Sequence, residues 1–399
     1  MVNDNKENFL QKISGKNVNF LIGSGASSPL FRTLQIDGKT GKISLEDLFS
    51  DKTCDDEAKK VLSYYYYSNW IKPMLDEFRN SQKRIESLTK EGDKHTEESK
   101  KNNDEEDKNE EKVKCKEKYD KFINGLVQFL RTESNERPKR INIFTTNYDL
   151  LFEETFQEIV KTDNNVFFND GSVGFIDRVL CPQNLNLSVS RTGYFDVYKN
   201  EIPTINLIKL HGSISWRKFD KDIIEVDYNL KKNDLFDTLD SLCERLDSID
   251  DQFRQGLYKR DYSFLKNLYA NKKDEYDAFY ENYRVLSIIN PDKWKFHETV
   301  FERHYYQQLR NLSYELEREQ TVLIVFGFSF ADEHIKDIVK VSLSNPTLKV
   351  FVISYKYEDI DKYKQMFSSS QVEYLPINKG EVGDFDYLNS LIVGDYDVN

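Results

Sequence analysis

Short apolar runs, each closing on small or polar residues, recur along the chain and predict its architecture. NVNFLI (17–22) runs into Gly23-Ser24-Gly25. INIFTTNYD (141–149) closes on Thr146, Asn147 and Asp149. INLIKLHGSISW (205–216) carries His211, and TVLIVFGFSFADEHI (321–335) turns at Gly327; LKVFVISY (348–355) follows. Runs this short and this rich in β-branched residues suit strands buried on both faces. Helical spacing follows several of them, as in DLLFEETFQEIVK (149–161) and ADEHIKDIVKVSLS (331–344). Strand followed by helix, repeated, predicts an α/β fold with a parallel sheet covered on both sides.

Two stretches interrupt this pattern and predict five segments. The α/β core occupies 1–50, 137–216 and 301–399. A helical insertion with a charged loop fills 51–136, and a second, mainly helical insertion fills 217–300. The aromatic cluster SYYYYSNW (63–70) reads as core packing for the first insertion. Residues 90–121 are almost wholly charged and polar. They read as a solvated helical hairpin or loop, with a partner-binding tail as the alternative.

Composition narrows the function classes. The 399 residues include 38% hydrophobic and 14% aromatic side chains, enough for a substantial core. A net charge of −12 argues against direct nucleic-acid binding, which needs a basic footprint. The four cysteines form no Cys-x-x-Cys pair, so no zinc module or disulfide framework is readable. The polar N-terminal stretch and the lack of a long apolar run predict a cytoplasmic protein without a membrane span.

The strand ends hold the candidate chemistry. Gly23 and Gly25 permit close backbone approach, as in a pyrophosphate cradle. Ser28 and Pro29 fit the N-cap and first position of a following helix. Asn147 and Asp149 could be turn formers alone, His211 a structural histidine, and Asp332 only a helix-start carboxylate. Their joint placement carries more than any one of them. In an open parallel sheet, ligands bind outside the carboxyl ends of the strands. If the four strands are neighbours, Gly23–Ser27, Asn147, Asp149, His211 and Gly327–Ser329 line one pocket. HETVFERH (297–304) lacks the i, i+4 histidine pair of a zincin, and no metal is predicted.

In this order, Gly-Ser-Gly-Ala-Ser, Thr-Thr-Asn-Tyr-Asp, Leu-His-Gly-Ser and Gly-Phe-Ser-Phe-Ala-Asp resemble the sirtuin-like domains of bacterial anti-phage proteins. The resemblance implies a Rossmann-like parallel sheet with helical insertions that takes NAD as substrate. It implies that Asn147 orients water and ribose and that His211 is the general base. It further implies that Gly23, Ser24, Gly25, Ala26 and Ser27 hold the pyrophosphate. Asp149 then contacts the nicotinamide ribose or carboxamide, Thr146 is a further cofactor-binding residue, and Gly327 and Ser329 lie near the adenosine half. Sirtuin deacylases carry a two-pair cysteine module that this chain lacks, which favours NAD hydrolysis over deacylation. Nearly all of the chain is used by the sheet and its insertions. That makes it most similar to the sirtuin-like subunit that works beside a HerA-type ATPase, in a homo-oligomer. A second reading is a regulatory subunit that senses NAD or ADP-ribose without turnover. A hydride-transfer dehydrogenase is disfavoured, because no acidic residue closes a second strand about 20 residues after the glycines.

Overall fold

The computed structural model describes residues 9–38, 41–51, 54–90, 103–134, 138–192, 199–220, 223–230, 234–246, 248–249, 251–253, 255, 263–288 and 303–393. Seven strands form one parallel sheet. In chain order they are β1 (Asn17–Ile22), β2 (Arg140–Thr145), β3 (Phe167–Asn169), β4 (Thr204–Lys209), β5 (Thr321–Phe326), β6 (Lys349–Ile353) and β7 (Val372–Leu375). Their spatial order is β7-β6-β5-β1-β2-β4-β3. The fold is therefore α/β and Rossmann-like, and β5, β1, β2 and β4, the strands that end in the four motifs, are consecutive neighbours. The chain leaves β1 toward β2 on one side and later returns to β5 on the other. A crevice opens at such a reversal, outside the carboxyl ends.

Burial on both faces accounts for the apolar runs, since every residue of β5 is buried. Four asparagines break the pattern at one level of the sheet. Asn19, Asn142, Asn206 and Asn169 are register partners across β1, β2, β4 and β3. Their amides form a buried ladder: Asn142 donates to Asn19 (2.8 Å), Asn206 to Asn142 (2.8 Å) and Asn169 to Asn206 (3.0 Å). A buried amide is tolerated only when paired, and a one-residue slip would turn each of these to the other face. The ladder thus fixes the register of the strands that carry the site. Asn142→Leu would strip Asn19 of its donor and Asn206 of an acceptor. It should cost about 2 to 4 kcal/mol in urea unfolding; a loss within about 0.5 kcal/mol, the size of an ordinary surface change, would show that the ladder adds nothing.

Between β1 and β2 lie the helices Asp56–Tyr66, Lys72–Lys90 and Asn103–Thr132, the first two joined by a π-helical turn, Tyr67–Ile71. Tyr64 to Tyr67 span more than one helical turn, so they can all be buried only if the helix is surrounded. It is: Tyr65 stacks on Phe253 with centroids 3.8 Å apart, and Tyr64 and Tyr67 meet Phe279 edge-on. Of the charged stretch 90–121, residues 91–102 lie outside the described residues, and 103–121 belong to the long helix Asn103–Thr132.

The run 205–216 is not one strand. It divides at Leu210-His211, and Gly212–Asp220 begins a separate five-stranded antiparallel sheet with 223–226, 286–288, 179–180 and 172–173. Gly212 makes the change of direction possible. Its φ is +93°, and a Cβ there would sit 2.0 Å from Ser287 O. The stretch 217–300 therefore opens with strands before its helices Asp234–Arg245, Ser263–Asn271 and Lys273–Tyr283. Hydrophobic alternation within 212–220 is compatible with either sheet, so the sequence pattern did not reveal the break. Among the described residues, no helix is long and apolar enough to cross a membrane.

Candidate active site

The glycine loop after β1 meets the loop after β5 backbone to backbone. Gly23 N–H donates to Phe326 O (3.0 Å) and Gly25 N–H to Gly327 O (2.9 Å). A Cβ on Gly25 would lie 2.7 Å from Gly327 Cα, and one on Gly327, whose φ is +62°, would lie 2.6 Å from Ala26 N. The close approach these glycines permit is thus first of all to each other. The helix expected at Ser28-Pro29 does not form. A single 3₁₀ turn, Ser24–Ala26, is followed by turns, and the Ser28 hydroxyl donates back to Gly25 O (3.0 Å). Too few residues separate Pro29 from the hairpin Gln35–Gly38/Gly41–Ser44 to build an amphipathic helix. An anion here would meet no helix end, and the N–H groups of Gly23, Gly25 and Ala26 are already donated to Phe326 O, Gly327 O and Gly23 O.

Ser24, Gly25 and Ser329 are exposed at this edge and Thr146 is half-buried, while Ser27, Asn147, Asp149 and His211 lie beneath. Asn147 Nδ2 donates to Ser27 Oγ (3.3 Å), joining the first motif to the second. Asp149 Oδ1 accepts Leu151 N–H (3.2 Å) at the start of the helix Leu151–Thr162. Burial raises the Asp149 pKa above the ordinary carboxylate range, against the pull of Lys209, the Leu151 N–H and the Ser27 hydroxyl. Asn147 Oδ1 and Asp149 Oδ2 are buried acceptors with no hydrogen-bond partner among the described residues. They suit a ligand that brings donors, such as sugar hydroxyls, and repel one that brings only anionic oxygens.

A charged residue the pattern passed over supports this floor. Lys209, at the end of β4, donates from Nζ to Asp149 O and pairs with Glu153 Oε1 at 3.0 Å. Burial pushes the Glu153 carboxyl from its ordinary 4.5 up to about 7, with Lys209 opposing the shift. A lysine inside the apolar run INLIKL was the available signal, since buried charge persists only when paired. The next strand end is stitched to the same floor: Leu210 N–H donates to Thr145 O (2.8 Å) and Ile214 N–H to Tyr148 O (3.1 Å).

His211 leaves β4 in this stitched segment and faces the fourth motif. Its Nε2 lies 3.0 Å from Asp332 Oδ2, with both side chains buried. Asp332 also caps the helix Glu333–Ser342. Reading it only as a helix-start residue missed this second contact, because nothing local in Phe-Ala-Asp-Glu points to a histidine on another strand.

Residues 141–249 match the family model of the SIR2-like domain. No curated protein matches the chain. The SIR2-like domain implies binding or use of NAD. Its span contains Thr146, Asn147, Asp149, Glu153, Lys209 and His211. The glycine loop, the Gly327 loop and Asp332 lie outside that span and reach it through the contacts above. Of the HETVFERH stretch, residues 297–302 lie outside the described residues. His304 is buried, with Nε2 3.4 Å from Ser287 Oγ, and burial together with Lys218 lowers its pKa to about 3. Among the described residues, no group of three or more His, Cys, Asp or Glu could hold a metal ion.

Proposed function

We propose that this chain is an NAD glycohydrolase that releases nicotinamide and ADP-ribose. The observation that carries the reading is the pair of buried, unpartnered acceptors, Asn147 Oδ1 and Asp149 Oδ2, within a SIR2-like domain whose next strand end supplies a histidine. The acceptors take ribose hydroxyl protons and hold the sugar. Asn147 offers a donor as well as an acceptor, so it can also orient water. The nicotinamide–ribose bond breaks with its electron pair on the departing, neutral nicotinamide. The transition state resembles an oxocarbenium ion, as in glycoside hydrolysis. Water forms the new C–O bond, and His211 takes its proton. The Gly23, Gly25 and Ala26 N–H groups donate to Phe326 O, Gly327 O and Gly23 O, so the exposed Ser24 borders the pyrophosphate at the mouth of this loop, with Ser27 below it. Gly327 and Ser329 border the adenosine half.

In the cell, NAD depletion would serve anti-phage defence by abortive infection, under the control of a HerA-type ATPase and of assembly with further copies of the chain. The test incubates purified protein with NAD, alone and with a co-expressed HerA-type ATPase, and quantifies nicotinamide and ADP-ribose. Matching release of both is the expected result. NAD recovered intact from the bound state under both conditions would replace the hydrolase with a NAD-sensing regulatory subunit.

A further inference from the structure

We infer that Asp332 is the positioning residue of His211: it fixes which ring nitrogen carries the proton and leaves the other to accept one. The inference rests on the reading of His211 as the proton acceptor. Asp332 divides its two oxygens between two tasks. Oδ1 accepts the His334 N–H (3.0 Å) and the Ile335 N–H (3.2 Å), which fixes the plane of the carboxylate. Oδ2 is thereby aimed at His211 Nε2, 3.0 Å away. A helix N-terminus attracts negative charge, so the capped position suits a carboxylate. Neutral imidazole has one N–H and one lone pair. With a carboxylate facing Nε2, the proton stays on Nε2 and the lone pair on Nδ1. Both side chains are more than nine-tenths buried, so water competes little for either. His211 also has little freedom to swing away, because Leu210 is bonded to Thr145 and Gly212 is wedged against Ser287.

The arrangement joins the third and fourth strand ends through one acid. The same side chain that starts a helix after β5 sets the chemistry of a residue after β4. Capping alone does not require this, because an asparagine caps a helix about as well as an aspartate. That equivalence provides the test. Asp332→Asn keeps the cap and removes the carboxylate facing His211.

The measurement is ¹⁵N NMR of histidine-labelled full-length protein, with His211→Ala assigning the peak, alongside steady-state nicotinamide release. In the wild type the His211 spectrum should show the Nε2–H form. In Asp332→Asn the population should shift toward Nδ1–H. kcat should fall by roughly 100- to 10 000-fold, as when a histidine is held in the wrong tautomer, with KM changed only a few-fold and the melting temperature preserved. An unchanged ring-nitrogen spectrum in the variant would overturn the inference, whatever the rate did, and so would unchanged kcat. The spectrum reads the pairing without turnover. A wild type that releases no nicotinamide would therefore count against the hydrolase reading alone.

Discussion

Asn147→Ala should lower nicotinamide release from NAD by roughly 100- to 1000-fold, the range found when one preorganised polar group is removed from a transition-state site. The side chain is 5% exposed and already committed on one side: its Nδ2 is held by Ser27 Oγ at 3.3 Å. That contact orients the amide, and Oδ1, which has no partner among the described residues, is the acceptor that the proposed function assigns to the ribose. Alanine removes both the orienting contact and the acceptor. The structural cost should be small, about 1 kcal/mol for one neutral hydrogen bond, so the variant should fold and melt close to wild type. Rate and stability are thus expected to separate. Turnover measured beside a melting curve checks this: a variant that keeps its rate would move the chemistry elsewhere, and one that unfolds would make Asn147 a structural residue.

Lys209→Met should show the opposite separation, losing stability first. Methionine has much the same length and fills the space, but it leaves Glu153 and Asp149 buried without their cation. Removing one partner of a buried pair typically costs about 3 to 5 kcal/mol. The pH dependence gives the sign. Glu153 titrates at about 7 in the folded protein against an ordinary 4.5. The folded state therefore keeps a proton that the unfolded chain gives up. This group's contribution is fully present below about pH 4.5 and is lost as pH rises to about 7. Without Lys209 to favour the charged form, the loss should be larger and extend above that range. In Glu153→Gln it should vanish. Urea unfolding at acid and alkaline pH, run on wild type and both variants, reads all of this. A Lys209→Met deficit that does not grow with pH would show that the lysine and the glutamate are not coupled.

The strand-end positions of the candidate residues were legible because they sit where local rules are strong. Glycines at strand ends, an Asn-x-Asp turn and a His-Gly pair are short-range signals, and the apolar runs before them are the period of buried parallel strands. The tyrosine run was legible as core for the same reason. What failed also has a local cause. Ser28-Pro29 carries the signature of a helix start, but a helix needs residues to continue into, and the hairpin at Gln35 leaves too few. Lys209 was passed over as one polar residue in an apolar strand, although its charge was the clue.

The sequence by itself determined the α/β class, the order of the strand-end motifs and the residue types available for chemistry, because periodicity and turn preference act over a few residues. Only the tertiary structure decided which strand ends are neighbours. It locked the Gly25 loop against Gly327, set Ser27 on Asn147, placed Lys209 between Asp149 and Glu153, and turned the chain at Gly212 into a second sheet. It also brought a helix-capping aspartate within 3.0 Å of His211. These contacts join residues far apart in the chain. They depend on strand order and register, which are settled by how buried faces and the asparagine ladder pair across the whole sheet, and no short window of sequence contains that information.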